Sequence, residues 1–209
     1  VKKAEIDGNE WVIHLQKGKK IKSKILINAS GPWINETLKK NIKIKSKNKI
    51  RLVKGSHIIT KKLYKKDVAF TFQNTDKRII FVIPYKKKFS LIGTTEVEVK
   101  SPENKEISKK EIQYLIRSVN NYLEKQISTK DIVDSYSGIR PLIEDFNQAS
   151  KVTRDYIFDL NIIKKLPLLS IYGGKLTTYR KLAENVLLDL EKFLPKTKMG
   201  PWTHKKNLF

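Results

Sequence analysis

Residues 167–183 read PLLSIYGGKLTTYRKLA. The apolar run that ends at Tyr172 is short, which predicts a buried strand, and the glycine pair after it predicts a tight turn. Beyond the turn, apolar residues recur at helical spacing until Pro195 ends the pattern. The predicted inner face of that helix consists of Leu182, Ala183, Val186, Leu187, Leu190 and Phe193.

The turn between this strand and this helix has the properties of a binding site. Backbone N–H groups and the dipole at the start of a helix attract anionic or electron-rich groups. Gly173 and Gly174 allow a ligand to approach closely, and Lys175 adds positive charge. The turn is not a P-loop, because Leu176 stands where Ser or Thr is required. The alternative interpretation is a structural turn before a surface helix.

The rest of the chain predicts mainly β structure. Alternating and apolar runs bounded by turn residues predict strands at residues 10–15, 21–27, 51–60, 68–73, 78–85, 89–95 and 153–159, with extended chain over 131–160. Residues 74–77 and 85–88 predict hairpin connections between the strands on either side of them. A short helix is expected at residues 34–40. Ser108 and Glu111 form a capping box in front of apolar residues at helical spacing, which predicts an amphipathic helix over 108–126. The sequence therefore predicts a mixed α/β protein.

Composition narrows the function classes. The 209 residues carry 44 Lys and Arg against 21 Asp and Glu, a formal net charge of +23, and contain no cysteine. Disulfides, thiolate catalysis and cysteine-based zinc sites are therefore excluded. Only six of the basic residues are Arg, the residue type that reads guanine, and the lysines are scattered at turns, so nucleic-acid binding is disfavoured. An anionic membrane surface remains a candidate partner.

Two side chains stand out as candidates for chemistry. Arg140 precedes Pro141, which favours an extended backbone and a guanidinium presented to a carboxylate or phosphate. The alternative is an ion pair with Glu144 or Asp145, and Arg154 beside Asp155 has a similar alternative. A lone histidine is more often structural, but the pKa of His57 suits proton abstraction from a hydroxyl group.

Six runs in order resemble one family, the FAD-dependent, respiratory (aerobic) glycerol-3-phosphate dehydrogenases. The runs are NASGPW at 28–33, RLVKGSH at 51–57, IIFVIP at 79–84 followed by IGTT at 92–95, YSGIRPL at 136–142, TRDY at 153–156, and GGKLTTYRKLA at 173–183. The resemblance covers residues 10–204. It implies a glutathione-reductase-like FAD-binding domain interleaved with an antiparallel-sheet substrate domain. Residues 1–33 and 129–195 would belong to the FAD domain, 34–128 to the substrate domain, and 196–209 to a linker toward a C-terminal domain.

The resemblance also implies roles for individual residues. FAD would lie near Gly31 and Pro32, with its ring against Gly173, Gly174, Lys175, Leu176 and Thr177. Arg140 and Arg154 would hold the phosphate or orient the hydroxyl groups of glycerol 3-phosphate, and Lys175 would face the reacting centre. His57 would take the C2 hydroxyl proton while hydride passes to the flavin. Electrons would then pass to quinone, in a protein bound peripherally to the inner face of the cytoplasmic membrane.

The sequence departs from the family in one respect. None of the nine glycines forms the Gly-x-Gly-x-x-Gly fingerprint that begins family members, so the chain is expected to be an internal fragment. Without that fingerprint the chain alone is expected to be inactive, and a separate chain that supplies the N-terminal part is one expectation. The competing hypothesis is a catalytically inactive remnant or binding module with a basic, phosphate-friendly surface.

Overall fold

The structure, a computed structural model, describes residues 1–143, 155–196, 200 and 202–205. Strands make up most of the regular structure in this part of the chain. In chain order they are β1 (Lys3–Asp7), β2 (Glu10–His14), β3 (Lys20–Ser23), β4 (Leu26–Asn28), β5 (Ile50–Lys61), β6 (Phe70–Gln73), β7 (Ile79–Tyr85), β8 (Phe89–Gly93), β9 (Val97–Val99), β10 (Ile132–Ile143), β11 (Tyr156–Ile163) and β12 (Leu166–Gly173). The α-helices are α1 (Ile34–Glu36), which continues as a π-helix over Thr37–Ile42, α2 (Lys109–Asn120) and α3 (Tyr179–Asp189). The predicted mixed α/β class with antiparallel sheets is confirmed.

The chain divides into two compact units. One comprises residues 1–51 with 141–209, and the other comprises residues 52–140. The chain leaves the first unit along β5 and returns to it along β10, so the second unit is an insertion in the first. The predicted FAD and substrate domains, with boundaries after residues 33, 128 and 195, remain predictions.

The first unit contains two three-stranded sheets. One is antiparallel, in the order β1-β2-β3, and the other has the order β11-β12-β4, with β12 antiparallel to β11 and parallel to β4. The prediction of one strand over residues 21–27 is wrong, because β3 and β4 belong to different sheets. The Ser23 hydroxyl donates to the carbonyl of Ile25 and accepts from its amide, and this local turn divides the apolar run.

Two clusters of apolar side chains hold β12 in place. Trp11 of β2 and Tyr172 of β12 are buried in the first, where the Trp11 indole donates to the carbonyl of Pro167 over 3.1 Å. In the second, Leu169 packs against Val186 and Leu190 of the helical segment that follows the turn. The glycine turn therefore lies at the end of β12, a strand that packs against other elements of the first unit.

The inner face of α3 is narrower than predicted. Val186 and Leu190 are buried and Leu182 packs beside them, but Leu187 is 56% exposed and Ala183 is also exposed. Residues spaced by four lie on one side of a helix, and each neighbour is rotated by about 100°. The spacing of 182, 186 and 190 therefore describes the buried stripe, and residues 183 and 187 lie beside it.

The second unit is a six-stranded sheet with a helix packed on one face, and the pairs among β5 to β9 are antiparallel. The strand order is β10-β5-β8-β7-β6, and β9 pairs with β5. The predicted hairpins between β6 and β7 and between β7 and β8 are confirmed. Residues shared between the sheet, α2 and the loop that follows it form the buried core: Ile58, Ile80, Val82, Ile92, Leu115, Val119 and Ile127.

Helix α2 begins as predicted and ends earlier than predicted. Both bonds of the capping box between Ser108 and Glu111 are present. The helix ends at Asn120 instead of residue 126, because the Asn120 side chain accepts from the amide of Ile127 and donates to its carbonyl, both over 2.9 Å. These bonds close the loop after the helix and keep Ile127 in the core.

Many turns of the chain are built with lysine. Every non-glycine residue with positive φ in the described part of the chain is a lysine: Lys17, Lys43, Lys77, Lys86, Lys87, Lys164 and Lys165. Asn and Gly are the usual residues at such positions, because they tolerate the left-handed backbone. This agrees with the prediction that lysines lie mostly at turns, and it accounts for part of the positive charge without a binding function.

Candidate functional site

His57 lies in the middle of β5, on a face of the sheet where its neighbours leave room for the ring. It pairs with Gly93 of β8, and a Cβ atom built on Gly93 would lie 2.1 Å from His57 Cδ2. One face of the imidazole stacks on the ring of Tyr136 of β10, with 4.8 Å between the ring centroids and an angle of 10° between the ring planes. The glycine edge and the aromatic face together fix the plane of the imidazole.

The surroundings of His57 favour its neutral form. Burial lowers the pKa of His57, and the positive charge of Arg140 lowers it further. The Nδ1 atom is buried and has no hydrogen-bond partner among the described residues. A neutral imidazole has an unprotonated nitrogen at neutral pH and can accept a proton from a hydroxyl group.

Arg140 lies within β10, in the extended backbone predicted for a residue before proline. A Cβ atom at Gly55 would lie 2.7 Å from both terminal nitrogens of the Arg140 guanidinium and 2.7 Å from Thr94 Oγ1. Arg140 Nη2 also donates to that hydroxyl over 3.4 Å. The absence of a side chain at Gly55 therefore makes the space in which the guanidinium lies. The predicted alternative partners Glu144 and Asp145 lie outside the described residues.

The glycine turn of the first unit has the geometry of a close backbone approach. Gly173 has φ +74° and Gly174 has φ +100°, and the amide of Gly174 donates to the carbonyl of Asp155 over 3.2 Å. A Cβ atom at Gly173 would lie 2.5 Å from the same carbonyl oxygen. The sequence predicts a helix from Thr177 onward, but a 3₁₀ turn over Leu176–Thr178 comes first and α3 begins at Tyr179.

A second glycine turn lies at the same edge of the sheet. Parallel pairing of β4 with β12 places Asn28 opposite Ser170, so both strands run toward the same edge. After β4 the chain turns through Gly31, which has φ +57°, and a Cβ atom there would meet nothing within 4 Å. The buried Asn28 side chain holds this turn by accepting from Ser30 Oγ over 2.7 Å and donating to the carbonyl of Ile34 over 3.2 Å.

These two turns fit the cofactor that the sequence implies. Ligands of α/β sheets bind outside the carboxyl ends of parallel strands, where Gly31 and Gly173 are located. Residues 174–177 are all exposed, and Leu176 is 87% exposed. An exposed glycine turn beside Lys175 therefore fits a flavin, whose ring becomes electron-rich when it is reduced.

The structure places the predicted site residues in two sets. His57 and Arg140 lie together in the unit of residues 52–140. The predicted cofactor residues Gly31, Pro32, Gly173, Gly174, Lys175, Leu176 and Thr177 all lie in the other unit. Arg154 lies outside the described residues.

Sequence reasoning assigned no role to four residues that shape the site. Tyr136 and Thr94 contact His57 and Arg140, and Gly55 and Gly93 make room for them. The two glycines had a detectable signal, because glycine inside a strand marks a close approach of another group.

Comparison with known proteins identifies the class. The family model "FAD dependent oxidoreductase" (DAO) matches residues 1–180. This is most of the chain, and the chain therefore belongs to the FAD-dependent oxidoreductase family. Among the described residues, no helix combines the length and apolar character needed to cross a bilayer.

Within that family, the chain is similar to dehydrogenases of polyol phosphates. It is 43% identical to the aerobic glycerol-3-phosphate dehydrogenase of Escherichia coli over 208 residues, which is 95% of this chain and 41% of the relative. It is 37% identical to the D-erythritol 1-phosphate dehydrogenase of Brucella abortus over 96% of this chain and 41% of that relative. The X-ray structure of the glycerol-3-phosphate dehydrogenase from Bacillus halodurans complexed with FAD matches with a TM-score of 0.73 and 26% identity, covering 92% of this chain and 38% of that one.

These matches confirm the predicted resemblance to FAD-dependent glycerol-3-phosphate dehydrogenases. The chain spans about 40% of the length of the relatives that it matches.

Proposed function

We propose that this chain carries the substrate-binding and flavin-contacting residues of a dehydrogenase that oxidises sn-glycerol 3-phosphate to dihydroxyacetone phosphate. One observation carries the proposal: the Arg140 guanidinium and the His57 imidazole lie in one small region of the same sheet. A positively charged guanidinium beside a neutral imidazole supports the proposal of a phosphate ligand and a base for a hydroxyl group. Such a pair suits a substrate that has a phosphate and an oxidisable alcohol on a short carbon chain.

Each of the two side chains has a separate task in the reaction. The guanidinium of Arg140 binds phosphate oxygens in a two-pronged arrangement, which fixes the distance of the carbon chain from the base. His57 accepts the proton of the C2 hydroxyl group as the C–H bond at C2 breaks and the carbonyl forms. When bound, FAD supplies the acceptor for the hydride that leaves C2. Arg154 is proposed as a second ligand of the phosphate.

The flavin contacts are proposed for the first unit. Gly31 and Pro32 would approach the cofactor after β4, and residues 173–177 would lie against its ring. Lys175 and the amide groups ahead of α3 place positive potential at this turn, which stabilises negative charge on a reduced ring. Exposure of residues 174–177 supports this assignment.

The electron acceptor is proposed to be quinone, reached by peripheral attachment to the inner face of the cytoplasmic membrane. The net charge of +23 supports attachment to an anionic lipid surface, since each basic residue near such a surface contributes about 1 kcal/mol.

The test is reduction of flavin by substrate. Purified chain, alone and joined to an N-terminal segment that carries the Gly-x-Gly-x-x-Gly fingerprint, is mixed with FAD, freed of oxygen, and titrated with sn-glycerol 3-phosphate while the visible absorbance of the flavin is recorded. In the joined protein we expect FAD to bind and its absorbance to bleach, and Arg140→Ala to weaken the substrate response about 100-fold through loss of a charge-assisted phosphate contact. Arg117→Ala is the matched control, since Arg117 is an exposed arginine on α2 of the same unit.

Two outcomes would change the assignment. Stronger bleaching by D-erythritol 1-phosphate would move the substrate toward that of the Brucella abortus relative. In the joined protein, FAD binding with no response to either polyol phosphate, or no binding of FAD at all, would contradict the proposal and favour a catalytically inactive binding module.

A further inference from the structure

A buried ion pair lies on the helix side of the sheet that carries His57 and Arg140. Lys54 of β5 and Glu111 of α2 meet with 2.9 Å between Nζ and Oε2, and their side chains are only 5% and 4% exposed. Lys54 Nζ also donates to the carbonyl of Glu106 over 2.5 Å. Burying two charges costs several kcal/mol per ion, and an apolar pair of similar volume is often as stable. A structural role alone therefore gives a weak reason for this pair.

The Glu111 carboxylate receives donors from three further residues. Oε1 accepts from Ser56 Oγ over 2.7 Å and from Thr95 Oγ1 over 2.9 Å. Oε2 accepts from the amide of Ser108 over 2.9 Å and from its hydroxyl over 2.8 Å. The contacts with Ser108 cap the helix, but the contacts with Lys54, Ser56 and Thr95 contribute nothing to the cap. They join the helix to the chain segments beneath it.

Those segments are the ones that hold the candidate site. Ser56 lies between Gly55 and His57, and Thr95 follows Thr94, whose hydroxyl accepts from Arg140. Ser56 and Thr95 are also joined through their backbones, since the amide of Thr95 donates to the carbonyl of Ser56. Glu111 thus binds the direct chain neighbours of His57 and of the Arg140 partner.

The network also reaches the strand that carries Arg140. Ser137 Oγ donates to Ser56 Oγ over 2.7 Å, and Ser137 follows Tyr136, which stacks on His57. Successive residues of a strand point to opposite faces, so a contact made by Ser56 or Ser137 on one face fixes the side chains next to it on the other. One carboxylate is therefore connected to β5, to the segment after β8, and through Ser56 to β10.

We propose that Glu111 is a positioning residue for the His57 and Arg140 site, acting through Ser56, Thr95 and Ser137. The part of this inference that concerns substrate rests on the proposed function, and the part that concerns His57 does not. The carboxylate holds three chain segments at fixed spacing from the far side of the sheet. His57 then keeps its position against Tyr136, and Arg140 keeps its position over Gly55.

The test removes single hydroxyl groups and leaves the ion pair in place; the Thr95 hydroxyl donates to Glu111 and also accepts from the amide of Ser56 over 3.0 Å. Thr95→Val and Ser137→Ala each delete one hydroxyl group, and Thr95→Ser keeps the hydroxyl at position 95. Ser118→Ala is the control, since Ser118 is a buried serine of α2 outside the network. The first readout is the NMR titration of the His57 ring in the full chain. The described charged and titratable groups that face this ring are Arg140 and Tyr136 of β10, while β8 presents Gly93.

We expect Thr95→Val and Ser137→Ala to raise the pKa of His57 above that of the unchanged chain, because a loosened ring gains water and moves away from Arg140. Thr95→Ser and Ser118→Ala should titrate like the unchanged chain. The second readout is the affinity for sn-glycerol 3-phosphate, expected to fall about tenfold in the first two variants only.

Glu111→Gln would disturb the network more strongly. However, it leaves Lys54 buried without a counter-charge and can unfold the unit. The test of the positioning role therefore rests on the hydroxyl variants. An unchanged His57 titration in both Thr95→Val and Ser137→Ala, or an equal shift in Ser118→Ala, would overturn the positioning role. If the unchanged chain binds no glycerol 3-phosphate, the proposed function fails while the titration still decides the role of Glu111.

Discussion

The imidazole of His57 lies flat against the phenol ring of Tyr136, with 4.8 Å between the ring centroids. This stack covers one side of the ring and contributes to the burial that lowers the pKa of His57. An ionised imidazole would lose hydration at this surface. The aromatic neighbour therefore favours the neutral imidazole, which has an unprotonated nitrogen.

Replacing Tyr136 tests this relationship. Tyr136→Ala is expected to raise the pKa of His57 toward its ordinary value, because water replaces the phenol ring, and to cost about 1 kcal/mol of stability. Tyr136→Phe keeps the ring and should leave the histidine titration unchanged. The measurement is the chemical shift of the His57 ring protons against pH, and coincident curves for Tyr136→Ala and the unchanged chain would contradict the prediction.

The same variant changes how stability depends on pH. The pKa of His57 is lower in the folded chain than in the unfolded chain, so its contribution to stability is present above the unfolded pKa and is lost as pH falls through the folded pKa. Tyr136→Ala brings the two values together and should flatten this part of the stability profile. Thermal unfolding of Tyr136→Ala and of the unchanged chain at a series of pH values measures this dependence of stability on pH.

Gly55 provides the second prediction, which concerns space. A methyl group at this position would lie 2.7 Å from both terminal nitrogens of Arg140, so Gly55→Ala must displace the guanidinium. We expect the affinity for sn-glycerol 3-phosphate to fall at least about tenfold with a smaller effect on unfolding. Gly138→Ala is the matched control, because a Cβ atom there would meet nothing within 4 Å. Equal loss of affinity in both variants would show that Gly55 has no special relation to Arg140.

Sequence patterns were sufficient for those parts of the fold that depend on near neighbours in the chain. The capping box and apolar spacing predicted α2, and turn residues predicted the hairpins of the second unit. The division of residues 21–27 between two sheets was missed, because it follows from partners more than a hundred residues away: Leu26 pairs with Leu168.

For the candidate site, the sequence was enough to identify two residue types with suitable chemistry. It was not enough to predict the residues that surround them. His57 and Arg140 were identified from their chemistry. Position 93 requires glycine because it pairs with His57 across the sheet, and this register could not be predicted from a single sequence. Lys54 was one lysine among many, and its burial against Glu111 became visible only when β5 and α2 were placed together.

The glycine turn gives a third prediction, on cofactor contact. Gly173 and Gly18 share a φ of +74°, so alanine at either position carries the same backbone strain, about 1 kcal/mol. Only at Gly173 would the added methyl group meet protein, 2.5 Å from the carbonyl oxygen of Asp155. We expect Gly173→Ala to lower the free energy of unfolding by about 2 kcal/mol more than Gly18→Ala does.

FAD titration separates the effect on the turn from the effect on the fold. Gly173→Ala should weaken the quenching of FAD fluorescence at a temperature where both variants remain folded, while Gly18→Ala should bind as the unchanged chain does. Equal FAD affinity in the two variants would place the flavin away from this turn.

The last prediction concerns the acid stability of the second unit. Burial alone would raise the pKa of Glu111, but the amide of Ser108 and the side chains of Ser56, Lys54 and Ser108 donate to it, and together they lower the pKa from 4.5 to about 2. A carboxylate with a lowered pKa contributes stability above its unfolded value, and this contribution is lost as pH falls from about 4.5 to about 2. A shift of this size corresponds to about 3 kcal/mol.

The double variant Lys54→Met/Glu111→Gln removes both charges and should abolish the loss of stability between pH 4.5 and 2. Lys54→Met alone should destabilise the unit, because it leaves the Glu111 carboxylate without its cation. Urea unfolding at stepped pH measures both effects, and an identical acid dependence in the double variant and the unchanged chain would show that other carboxylates control the transition.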